Sequence, residues 1–297
     1  MTLRHFQIFV TVCDQMNMTA AARSLYMSQP AVSQAVAELE DHYQVRLFER
    51  LSRRLYLTRA GEKLLGYARH IIRLNKDAET SMLSLNHNGT VRVGTSVTIG
   101  SCILPKLAAD FTAKFPQTSI EVEEDNTAKI EQLLLQDKLD LGLVEGEIVS
   151  GDLFCRSFAE DSLVLICGRG HPFYQRNEVD PIELEQENFI LRETGSGTRK
   201  TFEAAMAERG IRWKAGWTCN NTDTIKSAVA EGLGISVISE RAVKEETRTG
   251  LLHSISIAGM GFSRQFKLVY HKNKYLTAAI QQFSNFCFQK YYKSNKK

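Results

Sequence analysis

The 297-residue sequence predicts an α/β protein that begins with a mainly helical N-terminal segment. Apolar residues recur at helical spacing through most of residues 3–85. Beyond Thr90, short apolar strands alternate with helices, a pattern typical of parallel sheets with right-handed crossovers. The predicted elements include one helix at about 99–115 and strands at 163–167 and 266–271. The length is that of two or three domains.

The composition is that of a globular protein, with 43% hydrophobic and 24% charged residues. No apolar stretch is long enough to cross a bilayer, and the N-terminus lacks the apolar core of a secretory signal. The six cysteines are scattered without a C-x-x-C pair, and no histidine lies near one at ligand spacing. We therefore expect a cytoplasmic protein with reduced thiols, no membrane partner, no metal site and no cofactor.

The charge is unevenly distributed along the chain. Residues 1–76 carry 11 Lys and Arg against 6 Asp and Glu, whereas residues 77–297 carry 26 against 28. A basic N-terminal module attached to a mildly acidic body suggests binding to a polyanion. Chance is the alternative explanation, because the surplus is modest.

Three short helices are predicted at the N-terminus. The first runs from Leu3 to Asp14, and Asn17 is placed to cap the second. The alanines at positions 20–22 let the second helix approach another helix closely. Ser28 suits the N-cap of a third helix, and Pro30 suits its first turn.

The third helix has an inner apolar stripe of Val32, Val36 and Leu39. The opposite face carries amides, a hydroxyl and a methyl group, and almost no charge: Gln29, Ser33, Gln34 and Ala37. Such groups suit the edges of bases in a DNA major groove. Residues 45–61 then predict a two-stranded wing, whose turn carries three arginines suited to phosphates: Arg50, Arg53 and Arg54.

The motif AA-x-x-L-x-x-SQPAVS-x-x-x-x-x-LE, within a match over the first 61 residues, resembles the winged helix-turn-helix of LysR-type transcriptional regulators. The resemblance implies a DNA-binding domain at 1–59, with these DNA-contacting residues: Ser28, Gln29, Pro30, Ser33, Gln34, Arg50, Arg53 and Arg54. Asn17 stands where serine is common in the family. Gln44 stands where glycine is usual, so a left-handed backbone there would cost on the order of 1 kcal/mol.

A long helix is predicted from Ala60 to Leu85. Its apolar positions follow a 4-3 spacing with one asparagine: Leu64, Ala68, Ile71, Asn75, Ala78, Met82 and Leu85. This seam predicts a dimerising coiled coil, and the alternative is a helix packed on its own chain. LysR proteins dimerise through such a linker, which the resemblance places at 60–88. Residues 86–90 then mark a domain boundary.

The remaining residues, 89–297, predict two α/β lobes with a cleft between them. Lobe I comprises 89–160 and 268–297, lobe II comprises 161–267, and the chain crosses near Glu160 and Ser263. The resemblance supports this division, because the regulatory half of LysR proteins consists of two doubly wound lobes similar to type 2 periplasmic binding proteins.

Two strand-to-helix junctions suit a small anion. Hydroxyls and free backbone N–H groups meet in Thr95, Ser96 and Thr98 of lobe I, and in Ser196, Gly197 and Thr198 of lobe II. The alternative for the second junction is a tight turn with an ordinary helix cap. LysR effectors bind between the lobes, and the family's hydroxyl positions fall on Ser96 and Thr98. The G-S-G-T-R turn resembles the branch that regulates carbon fixation and sulfur assimilation.

These features predict a DNA-binding transcription regulator controlled by a small, anionic effector. Its expected partners are double-stranded DNA with an imperfect palindromic operator, a second copy or three further copies of the chain, and RNA polymerase. The competing classes are a solute-binding module and an enzyme on a binding-protein-like fold. Neither needs a recognition helix, and the sequence shows no nucleophile elbow, P-loop or dinucleotide fingerprint.

Overall fold

The structure is a computed structural model that describes residues 1–51, 54–83 and 89–292. For Arg50, Leu51, residues 81–83 and Tyr292 only the backbone is described. The chain divides into two compact units. The first contains the N-terminal helices and the wing, with the short segments Leu135–Lys138 and Asn273–Tyr275, and the second contains the rest of the α/β fold.

The first unit is a winged helix-turn-helix. Its elements are α1 (Leu3–Gln15), α2 (Met18–Ser24), α3 (Gln29–Tyr43), β1 (Phe48–Leu51), β2 (Arg54–Leu57) and α4 (Arg59–Leu83). Strands β1 and β2 pair antiparallel, as expected for a wing.

Local capping bonds fix the bend between α2 and α3. The Asn17 carboxamide accepts hydrogen bonds from the backbone N–H groups of Thr19 and Ala20 at 2.9 and 3.0 Å. The Ser28 hydroxyl accepts one from the N–H of Ala31 at 3.4 Å. Ala21 and Ala22 are buried in the core of the unit, so the prediction of closely packed helices is confirmed.

Glu40 connects the end of α3 to the wing. Its carboxylate accepts hydrogen bonds from the backbone N–H groups of Leu47 and Phe48 at 2.7 and 3.2 Å, and it pairs with Arg46 at 3.2 Å. Between these elements Gln44 is left-handed, with φ 52° and ψ 40°. The family's usual glycine would relieve this conformation.

The seam predicted on the long helix is only partly available to a second chain. Ala68 is fully buried, and Leu64 packs against the same core, so this part of α4 packs on its own chain. Ile71 and Asn75 are exposed, and the Asn75 amide donates to Glu79 at 2.7 Å. The side chain of Met82 and all of Leu85 lie outside the described residues.

Within the described residues, the second unit contains ten strands and seven α-helices, which form lobe I and lobe II, and two long strands run through both lobes. Its first elements are β3 (Thr90–Ser96), α5 (Val97–Cys102), α6 (Leu104–Lys114), β4 (Ser119–Asp125), α7 (Thr127–Leu135), β5 (Leu141–Glu145), β6 (Leu153–Gly168), β7 (Glu178–Val179) and β8 (Asn188–Arg192). These are followed by α8 (Gly197–Glu208), β9 (Lys214–Cys219), α9 (Thr222–Ala230), β10 (Ser236–Ser239), α10 (Lys244–Arg248), β11 (Leu252–Ile257), β12 (Phe262–His271) and α11 (Ala278–Tyr292).

Among the described residues, the main sheet of this unit has eight strands and is mixed, whereas the sequence predicted parallel pairing, and β8 and β9 form a separate two-stranded sheet. Strand β3 pairs parallel with β4 and β5, and β8 pairs parallel with β9. Strand β12 lies antiparallel between β5 and β6, and β6 also pairs antiparallel with β10 and β11. The expected return of the last strand to the first lobe is confirmed by the pairing of β12 with β5.

Both crossings are made by continuous strands. Strand β6 has 16 residues and β12 has 10, and they pair along the whole of β12. The sequence predicted only 163–167 and 266–271 as strands. The first half of β6 was not predicted, because polar residues interrupt its apolar pattern. These residues are polar because that half of the strand is mostly exposed.

The helix predicted at 99–115 is two helices. Ile103 leaves the helical region at φ −124°, and Pro105 lies in the first turn of α6. A proline is tolerated in the first turn of a helix but not in its interior, because it lacks the N–H donor and its ring clashes with the preceding turn. The sequence contained this signal, and the prediction of one helix was wrong.

Each lobe has its own apolar core. In lobe I, Phe111 of α6 contacts Phe283 of α11 edge to face, with ring centroids 5.1 Å apart. In lobe II, Phe189 of β8 packs on Phe202 of α8 at 4.9 Å. Among the described helices, none combines the length and apolarity needed to span a bilayer.

Candidate DNA-binding surface and effector cleft

The outward face of α3 carries the polar residues that the sequence singled out. Gln29, Pro30 and Gln34 are exposed, and Ser33 is half-buried. The Gln29 amide donates to the Ser33 hydroxyl at 2.6 Å. Ser28 acts as the N-cap of α3 and is also exposed.

One acidic residue on this face was missed. Glu38 accepts a hydrogen bond from the Gln34 amide at 3.0 Å and pairs with His5 of α1 at 2.8 Å. The bond from His5, then that from Gln34, lowers the pKa of this carboxyl group. The face is therefore less neutral than predicted, and Glu38 fixes the direction of the Gln34 amide.

Of the three arginines predicted to contact DNA from the wing, the structure describes the side chain of one. Arg54 is exposed at the start of β2, and Arg50 lies on β1 with only its backbone described. Arg53 lies outside the described residues. Tyr26, in the turn between α2 and α3, is 98% exposed at φ 54°, and the sequence analysis gave it no role.

The hydroxyls predicted at the two junctions converge on a single buried arginine. Arg264 of β12 donates from Nη1 to the Thr198 hydroxyl at 2.8 Å, and from Nη2 to the Thr98 hydroxyl at 3.3 Å. Thr98 belongs to lobe I and Thr198 to lobe II, so the guanidinium bridges the cleft. All three side chains are buried.

Two buried carboxylates accompany Arg264. Asp161 of β6 lies directly opposite it in the strand register, and its Oδ2 accepts a hydrogen bond from Nε at 2.8 Å and lies 2.7 Å from Nη2. Glu145, at the end of β5, accepts a hydrogen bond from the Ser96 hydroxyl, and its Oε1 lies 3.7 Å from Nη1 of Arg264. The hydroxyls therefore contact charged groups of the protein itself.

The other predicted effector residues have local structural roles. The Thr95 hydroxyl is fully buried and donates to the Ser96 carbonyl at 3.2 Å. Ser196 is the N-cap of α8, which agrees with the alternative of an ordinary cap at the second junction. Gly197 lies against the backbone of Glu145, where lobe I and lobe II approach closely.

A cavity of about 420 Å³ opens beside the charged cluster. Asp161 contributes to its lining, together with Arg241, whose Nε lies 3.4 Å from Asp161 Oδ1. The predicted hydroxyl residues do not line this cavity.

Arg264 was not predicted as a site residue, although the pattern of its strand indicates that it is buried. In β12, alternate residues Phe262, Arg264 and Phe266 are buried, while Ser263 and Gln265 are exposed. An arginine on the apolar face of an alternating strand needs a buried partner. The partner could not be named, since Asp161 lies 103 residues earlier.

The fold and these surfaces define a class: a DNA-binding regulator whose winged helix-turn-helix is joined to a two-lobed α/β domain. Two family models match the chain, "Bacterial regulatory helix-turn-helix protein, lysR family" over residues 3–62 and "LysR substrate binding domain" over residues 86–291. The chain belongs to the LysR family of transcriptional regulators, which bind DNA and small-molecule effectors, form oligomers and are not enzymes.

Similar proteins are regulators of the same family. The HTH-type transcriptional regulator YeiE of Escherichia coli K12 is 32% identical, over 96% of this chain and 97% of that protein. The RuBisCO operon transcriptional regulator of Allochromatium vinosum is 31% identical, over 96% and 95%. The CcmR regulatory domain of Synechocystis PCC6803, in complex with 2-PG, has a TM-score of 0.64 and 25% identity, over 68% of this chain and 97% of that domain.

Proposed function

We propose that the protein is a sequence-specific regulator whose activity is controlled by a small anionic effector bound between lobe I and lobe II. The observation that carries the proposal is the convergence of Thr98, Thr198 and Arg264. Hydroxyl donors from both lobes and a guanidinium are groups that bind carboxylates, phosphates and sulfates. A ligand held by both lobes favours the closed cleft, which supplies the differential affinity that a switch requires.

The effector contacts are tested by Ser96→Ala and Thr98→Val in the full-length protein. Each removes one hydroxyl donor, and loss of a hydrogen bond to a charged group costs about 1.5–3 kcal/mol. Anion affinity should fall about ten- to a hundredfold. Calorimetric titration with 2-PG, phosphate and sulfate measures this fall, and footprinting of the operator without effector should remain unchanged. If both variants bind every anion as the parent does, the effector site lies elsewhere.

The proposed DNA contacts are of two kinds, those to base edges and those to backbone phosphates. We assign base reading to Gln29, Ser33 and Gln34 on α3, and phosphate binding to the wing arginines Arg50, Arg53 and Arg54. Ser28 and Pro30 begin α3 and thereby orient it. A family dimer would place two copies of α3 on half-sites separated by about one helical turn, roughly 34 Å, which favours an imperfect palindrome.

The division is tested with Gln34→Ala and Arg54→Ala on specific and scrambled DNA. Gln34→Ala should cost roughly 1–3 kcal/mol at the operator only. Arg54→Ala should weaken binding to both DNAs and reduce the salt dependence. Gel retardation at several salt concentrations separates these effects, and the same behaviour in both variants would contradict the assignment.

A further inference from the structure

Asp161 holds the Arg264 guanidinium in a fixed orientation. Nε of Arg264 donates to Asp161 Oδ2 at 2.8 Å, and Nη2 lies 2.7 Å from the same oxygen in an ion pair. The other oxygen, Oδ1, accepts from the Ser239 hydroxyl at 2.8 Å and lies 3.4 Å from Nε of Arg241. Both oxygens of Asp161 are thus engaged, and the Nη1 edge of Arg264 points toward Thr198.

Glu145 is held more weakly than Asp161 at the same guanidinium. Its Oε1 lies 3.7 Å from Nη1 of Arg264, which is too long for a hydrogen bond, and its Oε2 accepts from the Ser96 hydroxyl. Its backbone, by contrast, is fixed, because its carbonyl accepts a hydrogen bond from Thr127 at 2.9 Å. The strand end is therefore fixed, and among the described residues the carboxylate itself has one hydrogen bond, from Ser96.

The carboxylate of Glu145 uses groups that an anionic effector would need. Ser96 is one of the proposed donors, and Arg264 is the cation of the cleft. The side chains of Arg264, Asp161 and Glu145 are 2, 0 and 2% exposed, so their charges are poorly screened by water. Arg241 lies beside Asp161 and is half exposed, so it offsets the charge of that carboxylate. The Glu145 carboxylate would still repel an anion bound beside it.

We propose that Glu145 is a built-in competing anion, whose carboxylate must be displaced from Ser96 and Arg264 before an anionic effector binds. This inference rests on the proposed effector site and adds the residue that limits the affinity of that site for anions. Asp161 has the opposite role of a positioning residue, because it aligns the arginine that both anions use. An effector with only one weak anionic group cannot replace Glu145, whereas a phosphate or sulfate can contact both hydroxyls and the guanidinium.

The test compares two substitutions that remove the same charge a few residues apart. Glu145→Gln keeps the side-chain shape and an acceptor for Ser96 but removes the competing charge. Glu147→Gln, on an exposed residue two positions further along, is the matched control. Calorimetric titration of the full-length proteins with inorganic phosphate and with sulfate should show affinity raised about tenfold or more in Glu145→Gln, and unchanged in the control.

Asp161→Asn separates competition from a general field effect. If Asp161 positions Arg264, its removal should lower anion affinity about tenfold, although it removes the same charge as Glu145→Gln. An equal rise in both variants would show that only net charge matters and would overturn the assignment. Thermal unfolding without anion checks that each variant is folded. Should Glu145→Gln fold poorly, Glu145→Met removes the charge at similar volume and carries the same expectation.

The outcomes distinguish the inference from the proposed function. If Ser96→Ala loses anion binding and Glu145→Gln binds as the parent does, the effector site stands and the competing role of Glu145 is wrong. If Ser96→Ala and Glu145→Gln both bind as the parent does, the anions bind elsewhere and both ideas fall. If neither the parent nor Glu145→Gln binds phosphate or sulfate, both ideas fall as well.

Discussion

Gly197 allows the start of α8 in lobe II to lie against the end of β5 in lobe I. A Cβ atom added to this residue would overlap the carbonyl oxygen of Glu145 and lie 2.9 Å from that residue's carbonyl carbon and Cγ. The Glu145 carbonyl accepts from Thr127, so it cannot move away without losing a hydrogen bond. Gly197→Ala must therefore push the start of α8 away from the end of β5.

The change in stability caused by Gly197→Ala shows whether helix propensity or steric overlap dominates. Gly197 is the first residue of α8, where helix propensity alone would make alanine neutral or stabilising by at most about 1 kcal/mol. Overpacking against backbone costs typically about 1–3 kcal/mol, so the overlap should dominate. For a domain of this size the melting midpoint should fall by roughly 2–12 °C.

The assay is selective because both tryptophans of the chain, Trp213 and Trp217, belong to the α/β unit. Denaturant unfolding followed by tryptophan fluorescence therefore reports on this unit. Gly170→Ala is the control, since no atom lies within 4 Å of its added Cβ, and it should change stability by less than about 0.5 kcal/mol. A Gly197→Ala protein as stable as the parent would refute the close contact between the start of α8 and the end of β5.

Two further substitutions test the first unit. Gln44→Gly should stabilise α3 by about 0.5–1 kcal/mol, because glycine accepts φ 52° without strain, and slower hydrogen exchange of the α3 amides would measure it; no gain would contradict the strain. Glu40→Ala should cost about 1–3 kcal/mol and weaken DNA binding, because it leaves the N–H groups of Leu47 and Phe48 without their acceptor. Glu40→Gln keeps an acceptor oxygen and should retain most of both properties in thermal unfolding and gel retardation.

The predictions that depended on neighbouring residues were accurate. The caps at Asn17 and Ser28 join groups two or three residues apart, and such bonds are specified by the local sequence alone. The wing and its pairing were predicted for the same reason. Pro105 is the exception, because its local signal for a new helix was overlooked.

The contents of the cleft depend on distant pairings that one sequence cannot reveal. Thr98 and Arg264 are 166 positions apart, and Ser96 and Glu145 are 49 apart. The hydroxyls were predicted because they follow strand ends, but nothing in their neighbourhood indicates an arginine and two carboxylates. The exposed half of β6 was not predicted either. Apolar residues alternate along this strand only from the point where it enters the core of lobe II.

Stability alone does not explain why the charged cluster lies at this position. Buried ion pairs lose much of their attraction to desolvation, and apolar replacements of similar volume are often as stable. Arg264 and Asp161 lie opposite each other on the two strands that connect lobe I and lobe II. Asp161 contacts both Arg264 and Arg241, whereas the Glu145 carboxylate lies 3.7 Å from Arg264. A cluster whose most weakly held member is a carboxylate at a strand end is suited to the exchange of one anion for another, as the proposed competition requires.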